Sequence, residues 1–134
     1  FDLAIKYFQR AIELKPHHIL YSSLAFSLAR LGRIDESLAA FQKALEIKPD
    51  SKYILKFYAD ALSDYGKKRE AIEMYKKLLE VEPNNSPAMF RLSVLYLDFL
   101  DRQNAQLYYE KLLQADKNLA RTLSWIFKVK NKVK

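Results

Sequence analysis

Three prolines, Pro16, Pro49 and Pro83, stand 33 and 34 residues apart, and a spacing this regular restricts the chain to repeated units of one size. The columns upstream of each proline repeat in phase. Eight residues before each proline is an aromatic, Phe8, Phe41 or Tyr75, and the series continues at Tyr109, after which Lys117 stands where a fourth proline would. Twelve residues before is a small side chain, Ala4, Ser37 or Ala71, with Ala105 next in line. Five before lies Ala11, Ala44 or Leu78, then Leu112. A second set keeps the same period: Leu24, Tyr58 and Leu92, each followed by a small residue (Ala25, Ala59, Ser93), with Leu28, Leu62 and Tyr96 one helical turn later.

These columns have a physical meaning of their own. Within each unit the apolar residues fall at helical spacing in two stretches of about 14 residues. The stretches are broken at Leu31-Gly32-Arg33 and Tyr65-Gly66-Lys67, where glycine can supply the left-handed end of a helix. Each unit is therefore expected to be a helix, a tight turn and a second helix. Small residues sit mid-helix where two helices cross too closely for more than a methyl or hydroxyl, and the aromatic one turn later fills the widening gap. The proline ends the second helix and begins the link to the next unit. Only 2 glycines and 4 prolines in 134 residues leave little material for hairpin turns between strands, which agrees with an all-α chain.

Period, glycine, small residues, aromatic and terminal proline together resemble the tetratricopeptide repeat family, over essentially the whole chain. The resemblance implies an all-α, right-handed superhelical solenoid of antiparallel helix hairpins with a C-terminal capping helix. The repeat array is expected over 1–117, as a half repeat 1–17 and repeats 18–51, 52–85 and 86–117, with the cap and a basic tail over 118–134. That makes seven repeat helices plus a cap. The fourth unit departs from the pattern, with Leu100 for the turn glycine and Lys117 for the proline, so its second helix is expected to end less sharply. Asn118 is the expected N-cap of the last helix, whose apolar face is Leu119, Leu123 and Ile126 and whose polar side is Arg121, Ser124 and Lys128. From Lys128 to Lys134 the chain is expected to fray.

The first unit retains only its second helix, and the start at Phe1 reads as a piece of something longer. The missing hairpin partner would leave Phe1, Ala4, Ile5 and Phe8 uncovered. Burying even two such side chains is worth about 3 to 6 kcal/mol, so either upstream sequence or another copy is expected to cover this face, and this chain by itself is expected to self-associate through Phe1, Ile5 and Phe8.

Charge and composition narrow the function. The formal charge is +7, yet residues 1–116 carry 17 basic and 16 acidic side chains, and the excess lies from Lys117 onward. A solvated basic tail, rather than a continuous phosphate-binding stripe, follows. No nucleic-acid partner is expected, and the RNA-reading pentatricopeptide hairpins differ in period and boundary residues. No apolar run approaches the roughly 20 residues of a membrane-spanning helix, so no membrane insertion is expected. The absence of cysteine removes disulfides and thiolate sites and leaves the compartment open; the cytoplasm is the working expectation. No phosphate-cradling glycine loop, His-x-x-x-His or serine beside a base occurs, so the chain is read as no enzyme and as needing no cofactor. His17 and His18 are read as solvent-exposed linker residues, with no metal site expected.

The resemblance also implies where binding occurs, since the first helices of successive hairpins line the concave face. The projected groove residues are Phe26, Tyr53, Lys56, Phe57, Asp60, Phe90, Arg91, Val94, Arg121 and Trp125. Ser22, Arg30, Asp64, Leu97 and Asp98 lie on the same projection. For Phe26 and Tyr53 a packing role stands equally beside a groove role; Phe57 and Phe90 lean toward the groove. Lys56, Arg91 and Arg121 could converge on an anion. Family members that grip a chaperone tail carry asparagines between such residues, and here Asp60 occupies one such position. A looser preference for an acidic peptide is the expectation. Protein or peptide binding by a scaffold module of a larger protein, with the ligand held in the concave groove and a preference for an acidic partner, is thus the functional reading. Its alternative is a self-assembly module that makes a homo-oligomer through the N-terminal helix.

Overall fold

A computed structural model describes residues 2–132. Among them are eight helices: α1 (Asp2–Leu14), α2 (His18–Arg30), α3 (Ile34–Ile47), α4 (Lys52–Asp64), α5 (Lys68–Val81), α6 (Ser86–Asp98), α7 (Arg102–Ala115) and α8 (Lys117–Lys132). The chain divides into two units, Phe1–Lys67 and Lys68–Lys134. In the first, α1 packs on α2, α2 on α3 and α3 on α4; in the second, α5 packs on α6, α6 on α7, and α8 on both α6 and α7.

The repeating columns are the core. The small residues Ala25, Ser37, Ala59, Ala71, Ser93 and Ala105 are all buried, as are the aromatics Phe41 and Tyr75. Where a small residue is serine, its hydroxyl crosses to the partner helix. Ser37 Oγ donates to the Ala25 carbonyl and Ser93 Oγ to the Ala105 carbonyl, both at 2.7 Å. Such closeness of backbones admits nothing larger, and it satisfies a hydroxyl that would otherwise be buried unpaired.

The hairpin turns share one geometry. The N–H of Arg33 donates to the Leu28 carbonyl, that of Lys67 to Leu62 and that of Asp101 to Tyr96, at 3.0, 2.8 and 2.9 Å. Each bond closes over a residue in the left-handed region: Gly32 at φ 73°, Gly66 at φ 81° and, in the third turn, Leu100 at φ 58°. The missing glycine therefore changes the residue and not the turn.

The first helix of each hairpin begins on a side-chain cap at one register position. His17 Nδ1 accepts from Ile19 N at 3.2 Å, Ser51 Oγ from Ile54 N at 3.4 Å and Asn85 Oδ1 from Ala88 N at 3.0 Å. Before α8 the cap is Asp116, whose carboxylate accepts from Leu119 N at 3.0 Å, and not Asn118 as expected. Asp116 also ends α7, its N–H reaching the Leu112 carbonyl at 2.7 Å. One residue thus both closes the second helix of the fourth unit and opens the next, so that helix ends sharply without a proline. The helical backbone of α8 continues to Lys132, so most of the stretch expected to fray is helical; Val133 and Lys134 lie outside the described residues.

The N-terminal helix is covered in a way the sequence reading did not anticipate. Ile5 is only 3% exposed and lies in a cluster with Leu24, Ala25, Leu28, Ala40 and Phe41, against which Phe8 and Ile12 also pack. The following unit covers this face, because a second helix in such an array touches the hairpin after it as well as its own partner. Ile5 is therefore core, Phe8 is half-buried, and Phe1 lies outside the described residues.

Candidate functional site

The projected groove residues fall in both units. In the first, Phe26 comes from the middle of α2, and Tyr53, Lys56, Phe57 and Asp60 share a stripe of α4 because they recur every three or four residues. Phe26 is 43% exposed, and its ring meets two others edge-on: Phe57 at 4.8 Å and Phe41 at 5.5 Å between centroids. One edge of Phe26 thus belongs to packing and the rest is accessible. Phe57 is half-buried against the first-unit cluster. Tyr53 is 65% exposed, which settles its choice against core packing.

Cations lie over these rings. The Lys56 ammonium is 5.3 Å from the Phe57 centroid, and the Lys52 ammonium 5.3 Å from that of Tyr53, both within cation–π range. Lys52 escaped the sequence reading, although its spacing of four from Lys56 placed it on the neighbouring turn. Asp60 is half-buried on the same stripe. The first unit therefore presents accessible aromatic surface bordered by two ammonium groups, an arrangement able to take an apolar side chain next to a carboxylate.

In the second unit the projected residues divide. Phe90 and Val94 pack against the cluster of Met89, Leu112, Ala120 and Leu123, so much of their area serves the α6–α8 contact rather than an open face. Leu97 is buried and is withdrawn from the groove. Asp98 holds Lys68 at 3.1 Å. Arg91 and Arg121 are exposed, and Trp125 projects from α8 with 65% of its surface accessible.

Other polar features are structural. His17 is a helix cap that stacks on His18 with 4.4 Å between ring centroids; the signal was present in its spacing of 34 from Ser51, which stands 34 from Asn85. Partial desolvation, the neighbouring His17 and then Lys48 hold the His18 imidazole below the usual histidine range. Among the described residues no group of three or more His, Cys, Asp or Glu could hold a metal ion. No helix there is long and apolar enough to cross a membrane.

Two models of the family described as Tetratricopeptide repeat match the chain, one over residues 16–84 and the other over 1–18 and 86–119. A relative named Protein STIP1 homolog, from Dictyostelium discoideum, is 45% identical over 51 residues, 37% of this chain and 9% of that protein. The Mitochondrial import receptor subunit TOM70 of Saccharomyces cerevisiae is 40% identical over 57 residues, 42% of this chain and 9% of that protein. The aligned segments are thus a small part of both relatives. A solved tetratricopeptide repeat protein from Parabacteroides merdae superposes with a TM-score of 0.86 at 21% identity, over 96% of this chain and 52% of the other, a likeness of fold.

Proposed function

The chain belongs to the tetratricopeptide repeat family, and we propose that it is a protein-interaction module that holds an acidic, partly apolar peptide segment of a partner protein. The observation that carries this reading is the α2–α4 face: Tyr53 and Phe26 expose aromatic surface, while Lys52 and Lys56 stand 5.3 Å over Tyr53 and Phe57. Aromatic side chains supply large contact area at small entropy loss. Ammonium groups beside them attract carboxylates and speed encounter. Arg91, Arg121 and Trp125 would extend the same chemistry in the second unit. One relative, TOM70, is named as a mitochondrial import receptor subunit, and a role in recognition agrees with this reading. The reading of Ile5 and Phe8 as a self-assembly face loses its support, since the first unit already packs both.

Fluorescence anisotropy with a labelled peptide of alternating Glu and Leu tests the proposal against a peptide in which Lys replaces Glu. The acidic peptide should bind and the basic one should not, with affinity falling as salt rises. Tyr53→Ala should weaken binding by about 10- to 30-fold, the loss of about 1.4 to 2 kcal/mol that truncating an aromatic anchor brings. Lys56→Glu should reduce it further while leaving the helical circular dichroism unchanged. Equal binding of both peptides, or no loss on Tyr53→Ala, would overturn the assignment.

A further inference from the structure

Helix α4 carries its charges in the reverse of the order that a helix favours. Lys52 opens it and Lys56 follows one turn later, whereas Asp60 and Asp64 occupy its last two turns; its first turn holds no acid and its last turn no base. The macrodipole favours acids at the start and bases at the end, and α3 of the same unit does open on Asp35 and Glu36. The spacing adds to the cost. Lys52 and Lys56 are like charges four residues apart, as are Asp60 and Asp64, and each such pair disfavours a helix by itself.

These charges lie on the side of α4 that carries Tyr53 and Phe57. Lys56 and Asp64 are exposed and Asp60 is half-buried. The Lys56 ammonium stands 5.3 Å over the Phe57 ring, and Phe57 meets Phe26 of α2 with 4.8 Å between ring centroids. Arg30 occupies in α2 the register position of Asp64 in α4, 34 residues on, so that end of the face carries one base against two acids. The face is therefore cationic toward the start of α4, aromatic in its middle and net anionic toward its end.

We infer that this face takes a charge-segregated peptide segment, in which an acidic residue meets Lys56, an apolar residue lies on Phe26 and Phe57, and a lysine or arginine meets Asp64. The order of charges rests on the peptide-binding reading of the same face and adds to it what the far end of the ligand must be. Lys56 and Asp64 are eight residues apart in sequence, about 12 Å along the helix axis. An extended peptide rises about 3.3 Å per residue, so residues four apart cover that length and, with the one midway between them, point the same way. The recognised pattern is acid, apolar, base at alternate positions. The reversed charges cost α4 stability and supply the complementarity that selects this pattern over a uniformly acidic one.

Fluorescence anisotropy at low salt on the 134-residue chain compares three labelled peptides in one Ser-Gly frame: Glu-Ala-Leu-Ala-Lys, Glu-Ala-Leu-Ala-Glu and Lys-Ala-Leu-Ala-Lys. The segregated peptide should bind about 3- to 10-fold more tightly than the all-acidic one, the effect of one exposed ion pair gained and one repulsion removed. The all-basic peptide should bind most weakly. Asp64→Lys should reverse the order of the first two. The same variant should raise Tm, because it places a base at the end of α4, and this separates a change of preference from a loss of fold. Equal affinity of the segregated and all-acidic peptides for the unaltered chain, or a preference unchanged in Asp64→Lys, would overturn the order of charges and leave the peptide-binding reading standing. Failure of all three peptides to bind would overturn both.

Discussion

At Leu100 the third hairpin turn holds a branched side chain at φ 58°, where the two preceding turns have glycine. A non-glycine residue held in the left-handed region costs about 1 to 3 kcal/mol. Leu100→Gly removes that strain. Against this, glycine adds unfolded-state freedom worth about 0.5 to 1 kcal/mol. The side chain is 79% exposed, so losing its remaining burial costs about 0.3 to 0.6 kcal/mol, a fifth of a fully buried leucine. The central expectation is a net stabilisation of about 0.8 kcal/mol, seen as a rise of about 2 to 5 °C in Tm. Leu100→Ala gives the sharper comparison. Alanine keeps the strain and loses the same side-chain atoms beyond Cβ, so glycine should be more stable than alanine by about 1 kcal/mol, whereas in a helix interior the order is reversed by a similar amount. The reciprocal change Gly32→Ala should destabilise by about 1 kcal/mol through backbone strain alone, because a Cβ there meets nothing within 4 Å. Urea unfolding followed by helical circular dichroism reads all three variants. Finding Leu100→Ala equal to or more stable than Leu100→Gly would refute the strain argument.

Three further outcomes follow from the packing and the caps. Ser37→Ala should cost about 0.5 to 1.5 kcal/mol by urea unfolding, the net worth of one buried hydrogen bond, since its hydroxyl bridges α3 to the α2 backbone at 2.7 Å. Ile5→Ala should destabilise by about 2 to 5 kcal/mol, because Ile5 is core to the first unit; a variant as stable as the unaltered chain would show that α2 does not cover α1. For His18, desolvation and then His17 and Lys48 depress the folded-state pKa below 6.5, so the unfolded state takes up the proton first as pH falls. Stability should therefore be full above about pH 7 and should decline on acidification through the ordinary histidine range toward the lower folded value. Thermal melts of the unaltered chain and of His18→Gln across that range should show a smaller acid loss in the variant.

How far the sequence reached depended on whether a property was local. The period of Pro16, Pro49 and Pro83, the buried small column and the Gly32 and Gly66 turns were legible because each reports a demand made by one or two turns of chain: a close crossing, a left-handed residue, a helix stop. Leu100 shows the limit of that reading. The turn formed without its glycine because the helices on either side, pinned by Ser93 to Ala105 and by Tyr96 to Tyr108, hold the backbone in the strained conformation. Asp116 was passed over as a cap because Asn118 is an equally good capping type, and only the folded chain decides which of two neighbouring side chains meets a free N–H.

The candidate site was half legible for the same reason. Helical spacing placed Phe26 and the Tyr53–Asp60 stripe on the first helices of their hairpins, and the exposure of Tyr53 agrees with that placement. Periodicity marks Ile5, Phe90 and Leu97 as apolar without saying what covers them. Tertiary packing decided that α2 covers Ile5, that α8 takes part of Phe90, and that Leu97 is buried, since burial is a property of neighbours brought from elsewhere in the chain. By itself the sequence determined a stack of helical hairpins and its register. Only the folded structure decided how those register positions close: Ser37 and Ser93 are fully buried with their hydroxyls bonded to the Ala25 and Ala105 carbonyls, because burial depends on which neighbouring helix closes the crossing.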